Sequence, residues 1–272
     1  MKKLALSSLV AVFAVSAANA NVIDDNPLYM PKSGHFYSIT DVNSSTDHAN
    51  AVALGEEFGY GITDRFMVNV KTSLSQNNWF DDADWNDMGM GLTLRVIDDA
   101  FWKLDAVAEY AVGPVLYDHH KSFLKGSFLN KNQTKYTWTA GVRGGYVAHN
   151  FTIAGHVLMD YENTKSFNWD DDDASWHTLR AGIDAQMALT RRWNLVYAAE
   201  YSKSMDHYNE TEEYNNHETR GNWELGFGAN FNIDPSKFVG IYLTKDITHE
   251  AAQGDWKIED GFGFGAKFGV DF

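Results

Sequence analysis

The end of the chain constrains the fold most. Residues 261–272 read Gly261-Phe262-Gly263-Phe264-Gly265-Ala266-Lys267-Phe268-Gly269-Val270-Asp271-Phe272. An extended strand turns its side chains by half a turn per residue, so Phe262, Phe264, Phe268, Val270 and Phe272 share one face and the glycines, Lys267 and Asp271 the other. One face is greasy throughout and the other is wet or tightly packed. A strand of this kind suits a wall with lipid on one side.

The opposite end reads as an export signal. Met1-Lys2-Lys3 is a short basic start, an apolar stretch follows from Leu4 to Val15, and Ala18-Asn19-Ala20 fits a small-x-small cleavage pattern. Residues 1–20 are therefore expected to be removed, leaving 21–272 as one domain. The apolar stretch is short of the roughly 20 residues that a membrane helix needs, and no later segment supplies them. A final strand ending in Phe, with aromatic residues two apart before it, resembles the C-terminal assembly signal of bacterial outer-membrane β-barrel proteins. The resemblance is to that broad superfamily, including its porins and channels. It implies a Gram-negative outer-membrane location and contact with lipid and lipopolysaccharide. It also implies handling by the barrel-assembly machinery through the last strand.

Composition agrees once the geometry of a barrel is taken into account. The sequence has 44% hydrophobic residues, 14% aromatic residues with nine Trp, no Cys and a formal charge of −15. A closed barrel shows lipid only alternate residues of each strand, so its mean hydropathy stays low. Trp and Tyr collect where a ring can sit in hydrocarbon while its polar atom stays wet. Without cysteine there is no disulfide framework and no lipid-bearing cysteine at the cleavage site. Loss of Lys2 and Lys3 with the signal takes the charge to −17, which argues against nucleic acid as a partner.

Runs with period-two alternation occupy residues 34–42, 51–61, 66–75, 88–97, 102–117, 136–147, 151–161, 176–189, 193–203, 222–232, 238–248 and 257–272. Each can cross a bilayer as a tilted strand. Short turns at 62–65, 98–101, 148–150, 190–192 and 233–237 alternate with long polar connections, as brief periplasmic turns and longer external loops do. The expected fold is all-β: one antiparallel up-and-down transmembrane barrel of about twelve strands. Soluble sandwiches and lipocalin-like barrels also alternate, but they need a dry second face, and here that face is hydrophilic.

Turning the apolar face outward leaves an inward, pore-lining set: Glu57, Lys71, Arg95, Asp105, Glu109, Arg143, His156, Asp160, Arg180, Asp184, Glu200, Glu224 and Lys267, with Asn69 and Thr93 among them. Short hairpins also fix register. Pairing Gly61 with Met67 sets Glu57 opposite Lys71. Pairing Ile97 with Lys103 sets Arg95 opposite Asp105, and pairing Val147 with Thr152 sets Arg143 opposite His156. Two readings remain open. The charges neutralise one another across a closed lumen, or they line a water-filled bore and set a transverse field, as in channels. Twelve strands leave a narrow passage, for which the long segment 118–135 is a candidate plug.

The acidic excess falls in expected external loops: Asp81, Asp82, Asp84 and Asp87, the run from Asp170 to Asp173, and Glu210, Glu212, Glu213 and Glu218. Such a ring attracts cations by focusing the field. Its spacing lacks the alternate Asp ligands and turn-making Gly of a calcium loop. His119, His120 and His207 offer no chelating geometry, because neighbours in an extended chain point apart. His156 and Asp160 share a face but lie about 13 Å apart, so no catalytic pair forms along that strand. No metal, cofactor or catalytic residue is therefore expected. The expected activity is passive passage of small hydrophilic, preferentially cationic, solutes. A plugged surface-binding barrel and a barrel enzyme, protease or lipid A-modifying, are the alternatives.

Overall fold

In a computed structural model, residues 26–46, 52–77, 82–114, 133–166, 174–205, 221–250, 255–258 and 261–272 are described. They form thirteen strands: β1 (Phe36–Ser45), β2 (Val52–Thr63), β3 (Phe66–Asn77), β4 (Asp82–Asp98), β5 (Trp102–Pro114), β6 (Gln133–Val147), β7 (Phe151–Ser166), β8 (Ala174–Ala188), β9 (Trp193–Ser204), β10 (Gly221–Asp234), β11 (Lys237–Glu250), β12 (Asp255–Ile258) and β13 (Gly263–Asp271). Each of β1 to β11 pairs antiparallel with its sequence neighbour, and β13 joins β11 to β1. The result is a closed twelve-strand barrel. Closure leaves no unpaired edge, the condition for a sheet to stand in lipid.

The last wall strand differs from the continuous run read from the sequence. It is split into β12, which pairs with Ile247–Glu250 of β11, and β13, which pairs with Lys237–Thr244. Residues 82–87, expected in a loop, extend β4, with Asp82 opposite Asn77 of β3.

The register assigns the two faces. Outward positions carry exposed apolar side chains such as Phe58, Val70, Leu92, Val157, Ile183 and Ile241. Aromatic pairs mark two levels. Phe36 and Tyr60, Trp102 and Tyr146, and Trp193 and Phe231 meet near the short turns; Tyr110 and Trp138, and Tyr201 and Trp223, meet nearer the long connections. These are the girdles of a membrane barrel. Inside, the small buried apolar cluster of Met30, Tyr37, Met67 and Phe238 sits at the short-turn end, and most of the remaining interior side chains are polar.

Candidate functional site: a charged lumen with a stopped mouth

One straight row of cross-strand neighbours climbs the inner wall from β4 to β11. It runs Arg95, Asp105, Arg143, His156, Gly182, Glu200, Glu224, Asp246. Cross-strand neighbours on one face lie about 5 Å apart, so this row is the electrostatic backbone of the lumen.

At its lower end Asp105 is fully buried between two guanidinium groups. Arg95 donates from Nε at 2.8 Å and from Nη2 at 3.2 Å, and Arg143 donates from Nη2 at 3.3 Å. Arg95 and Asp105 face each other as the hairpin reading requires, but the expected Ile97–Lys103 pairing is wrong. A register shift between Arg95 and Ile97 sets Ile97 opposite Leu104 and Asp98 opposite Lys103. Arg143 and His156 are register partners, yet they do not bond to each other. His156 instead meets Asp184 at 3.0 Å through Nδ1 and Glu200 at 2.9 Å through Nε2. Reaching β9 from β7 means crossing β8, and Gly182 makes room: a Cβ there would lie 2.6 Å from the imidazole.

The other inward groups form two further sets. Lys71 donates to Glu109 at 3.0 Å and stands 3.9 Å from Glu57, its register partner. Glu57 is satisfied by the Tyr37 hydroxyl at 2.5 Å and the Asn69 amide at 2.8 Å. Arg180 grips Asp160 through Nε at 2.6 Å and Nη2 at 3.1 Å, Thr139 donates to the same carboxylate, and Arg180 also lies 3.6 Å from Glu200. Glu224 and Asp246 are different. Glu200, Glu224 and Asp246 are direct neighbours across β9, β10 and β11, and neither of the last two pairs with a described cation. Lys267 approaches the face of Tyr242 at 5.0 Å, and the Tyr242 hydroxyl donates to Asp41 at 2.8 Å. A cavity of about 410 Å³ opens between these walls, lined by Arg143, Asp184, Glu224, Tyr242 and Lys267 among others.

The short-turn mouth is crossed by residues 26–35 ahead of β1: 26–31 run inside the wall, and the exposed 32–35 lie at its rim. Leu28, Met30 and Pro31 are buried, and Met30 packs with Tyr37, Met67 and Phe238. The Leu28 carbonyl accepts from Arg95 Nη2 at 2.7 Å, tying this strap to the charge row. Ser33 bonds the β2–β3 turn from its amide to Asp64 and from its hydroxyl to the Ile62 carbonyl. Gly34 turns the chain with φ of 83° and donates to the Gly61 carbonyl. Gly61 must lack a side chain, because a Cβ would stand 2.2 Å from the Lys32 oxygen. Burial, reinforced by the nearby Asp271 carboxylate, pushes the Tyr29 hydroxyl well above its ordinary pKa.

The strap, Asp41, Tyr242 and Asp246 were not read as lining from the sequence. Leu28-Tyr29-Met30-Pro31 was the available signal, a short apolar run without strand period. Most of the segment expected to plug the bore, 118–135, lies outside the described residues, as do His119, His120, His207, Asp170 to Asp173 and the acidic residues 210–218. Among the described residues, no group of three or more His, Cys, Asp or Glu is disposed to hold a metal ion.

No family model matches the sequence, and no curated relative does. Solved structures do resemble it in shape. An outer membrane channel from Pseudomonas putida F1 superposes with a TM-score of 0.57 at 12% identity, over 92% of this chain and 98% of that one. The NanC porin gives 0.54 at 11% identity over 85% and 98%, and the KdgM porin in complex with disordered oligogalacturonate 0.52 at 8% over 87% and 99%. The chain has the outer-membrane β-barrel fold. At such identities the likeness is one of architecture, carried by alternation and hairpin length rather than by shared residues.

Proposed function

We propose that the protein is a narrow outer-membrane channel for passive diffusion of small hydrophilic solutes, with a bias toward cations. The observation that carries this reading is the inversion of polarity: the outer wall is apolar, while the lumen holds rows of ionised groups around a cavity of about 410 Å³. Charges at a bore set a field along the path of a solute. Most of these are matched, but among the described residues Glu224 and Asp246 have no paired cation, and they extend the acidic end of the row. They are the carboxylates from which a cation preference would come.

The described lumen groups give this reading more support than catalysis. Both ring nitrogens of His156 are held by carboxylates, so neither is free to take a proton from a nucleophile. The location in the outer membrane, cleavage after Ala20, and contacts with lipopolysaccharide and the assembly machinery belong to the same proposal. One observation favours a second reading: the strap at residues 26–35 occupies the short-turn mouth, as a closed or gated barrel requires.

The mature chain, refolded into planar bilayers, is expected to give discrete current steps with a cation-favouring reversal potential. Absence of steps from a folded barrel, judged by heat-modifiable mobility, refutes the open channel. Glu224→Gln is expected to move the reversal potential toward zero, and an unchanged value removes Glu224 from the selectivity set.

A further inference from the structure

The outer wall has two polar breaks in its apolar coat: Lys245 on β11, whose ammonium donates to the Gly261 carbonyl at 2.6 Å and lies over the Phe262 ring, and a cluster of side chains on β1 to β3. Between the two aromatic levels, and Lys245 apart, the described outward positions of β4 to β11 and β13 hold aliphatic, aromatic or glycine residues, such as Leu92, Val142, Ile183 and Phe268. On β1, β2 and β3 they include, beside apolar residues such as Val42, Leu54, Phe58 and Val70, the polar residues Ser38, Thr40, Glu56 and Thr72. Thr40, Glu56 and Thr72 form a straight row of cross-strand neighbours. The Ser38 hydroxyl donates to Glu56 Oε1 at 2.6 Å, and the Thr40 hydroxyl donates to Oε2 at 2.6 Å. Glu56 is on the same outward face as Phe58's neighbour Tyr60, which meets Phe36 at the lower aromatic level, and stands four residues above it. At about 3.3 Å per residue and a tilt of about 40° this is about 10 Å, near the middle of an apolar band about 25 Å tall.

A carboxylate has about four acceptor sites, and two of these are filled by the hydroxyls. Acyl chains cannot fill the others. Polar and small side chains are also what membrane-embedded surfaces use to approach one another. β1 is low along this face, with Ser38 and Thr40 flanked by Phe58 of β2 and by Phe268 and Val270 of β13. The face is thus a shallow groove beside a ridge.

We propose that this face is a twofold contact between two copies of the chain, in which Glu56 of each barrel is set against Thr40 of the other. The shape and chemistry of the face choose the occupant. Copies inserted in the same sense are related by an axis along the membrane normal, so equal depths meet. In a twofold contact, if residue i touches j then j touches i. Thr40 and Glu56 are direct cross-strand neighbours, so an axis passing between β1 and β2 exchanges them. The ridge of one copy then lies in the groove of the other, and each carboxylate meets polar side chains in place of lipid, with the one Thr40 proton shared between its own Glu56 and that of the other copy rather than added as a new bond. Another membrane protein would have to supply both the ridge and the polar groups at this depth independently.

The absence of cysteine makes the contact directly testable. Val42→Cys places a thiol on β1 in the groove; Ile183→Cys places one on the outer face of β8 as a control. Both sites are exposed. In native outer membranes under mild oxidation, Val42→Cys is expected to give a band of twice the mass of the chain and Ile183→Cys little or none. Equal cross-linking at both sites, no cross-linking at Val42→Cys, or a product containing a different protein overturns the proposal. Adding Glu56→Leu to Val42→Cys is expected to reduce the dimer band at least tenfold while the barrel keeps its heat-modifiable mobility, and an undiminished band overturns it. Should Glu56→Leu fail to fold, Glu56→Gln takes its place with the same reading. Conductance is not involved, so the result is independent of whether the barrel conducts.

Discussion

Asp105 is fully buried between the guanidinium groups of Arg95 and Arg143, so among the described residues its charge is matched only by those two side chains. The hairpin at 98–101 is short, and counting outward from it places Arg95 opposite Asp105 even though its own closing pairs shift by one. The contact from Arg143 was not legible, because β5 and β6 are joined by a long connection that fixes no register. Nor was the embrace of His156 by Asp184 and Glu200, since the shared face was clear but the route across β8 depends on the missing side chain at Gly182. A carboxylate held dry between two guanidinium groups is costly to lose, since its removal leaves charges buried and unmatched. Asp105→Ala is therefore expected to destabilise the barrel by about 3–5 kcal/mol. Urea unfolding in lipid vesicles followed by Trp fluorescence measures this, and an unchanged midpoint shows that water already screens the pair. Asp105→Asn, which keeps acceptors and donors of similar shape, is expected to lose less.

At the scale of elements, strands were readable and the strap was not. Alternation reports a residue's position between two solvents, and a segment folded inside the barrel meets only one environment. Leu28-Tyr29-Met30-Pro31 therefore carries no period, and two prolines, Pro27 and Pro31, further remove it from any strand pattern. Its seat, Gly61 in β2, carries no sign of the strap in the sequence, where it reads only as the partner of Met67. The same seat offers a handle on whether the mouth opens. Gly61→Ala places a methyl group 2.2 Å from the Lys32 oxygen, closer than atoms tolerate, so the strap must lift. Lifting it also removes the Leu28 carbonyl from Arg95. The expected result is a larger single-channel conductance, approaching that of a chain lacking residues 26–33, with modest loss of thermal stability. Equal conductance in wild type, Gly61→Ala and the truncated chain assigns the narrowest point to another part of the bore.

For the whole molecule the decisive element is the last strand, which both closes the barrel and carries the aromatic terminus. Closure rests on the pairing of β1 with β13 from Tyr37 and Asp271 to Ser45 and Gly263, continued by reciprocal backbone bonds between Phe36 and Phe272 of 3.3 and 2.8 Å. The strand count and this closure follow from alternation and turn length. The split into β12 and β13 does not, because both pieces pair with β11 and obey the same period. The Phe272 ring is 69% exposed, so the packed barrel gains little from it. Backbone closure and ring recognition are thus separable. Phe272→Ala keeps the reciprocal bonds and is expected to refold into vesicles at a yield close to wild type while reaching the outer membrane of cells in clearly smaller amounts. Deleting Phe272 removes those bonds as well and is expected to lower both yields. If Phe272→Ala refolds as badly as the deletion, the ring serves closure itself and the proposed recognition of the last strand loses its support; if both variants assemble normally in cells, the aromatic end carries no signal.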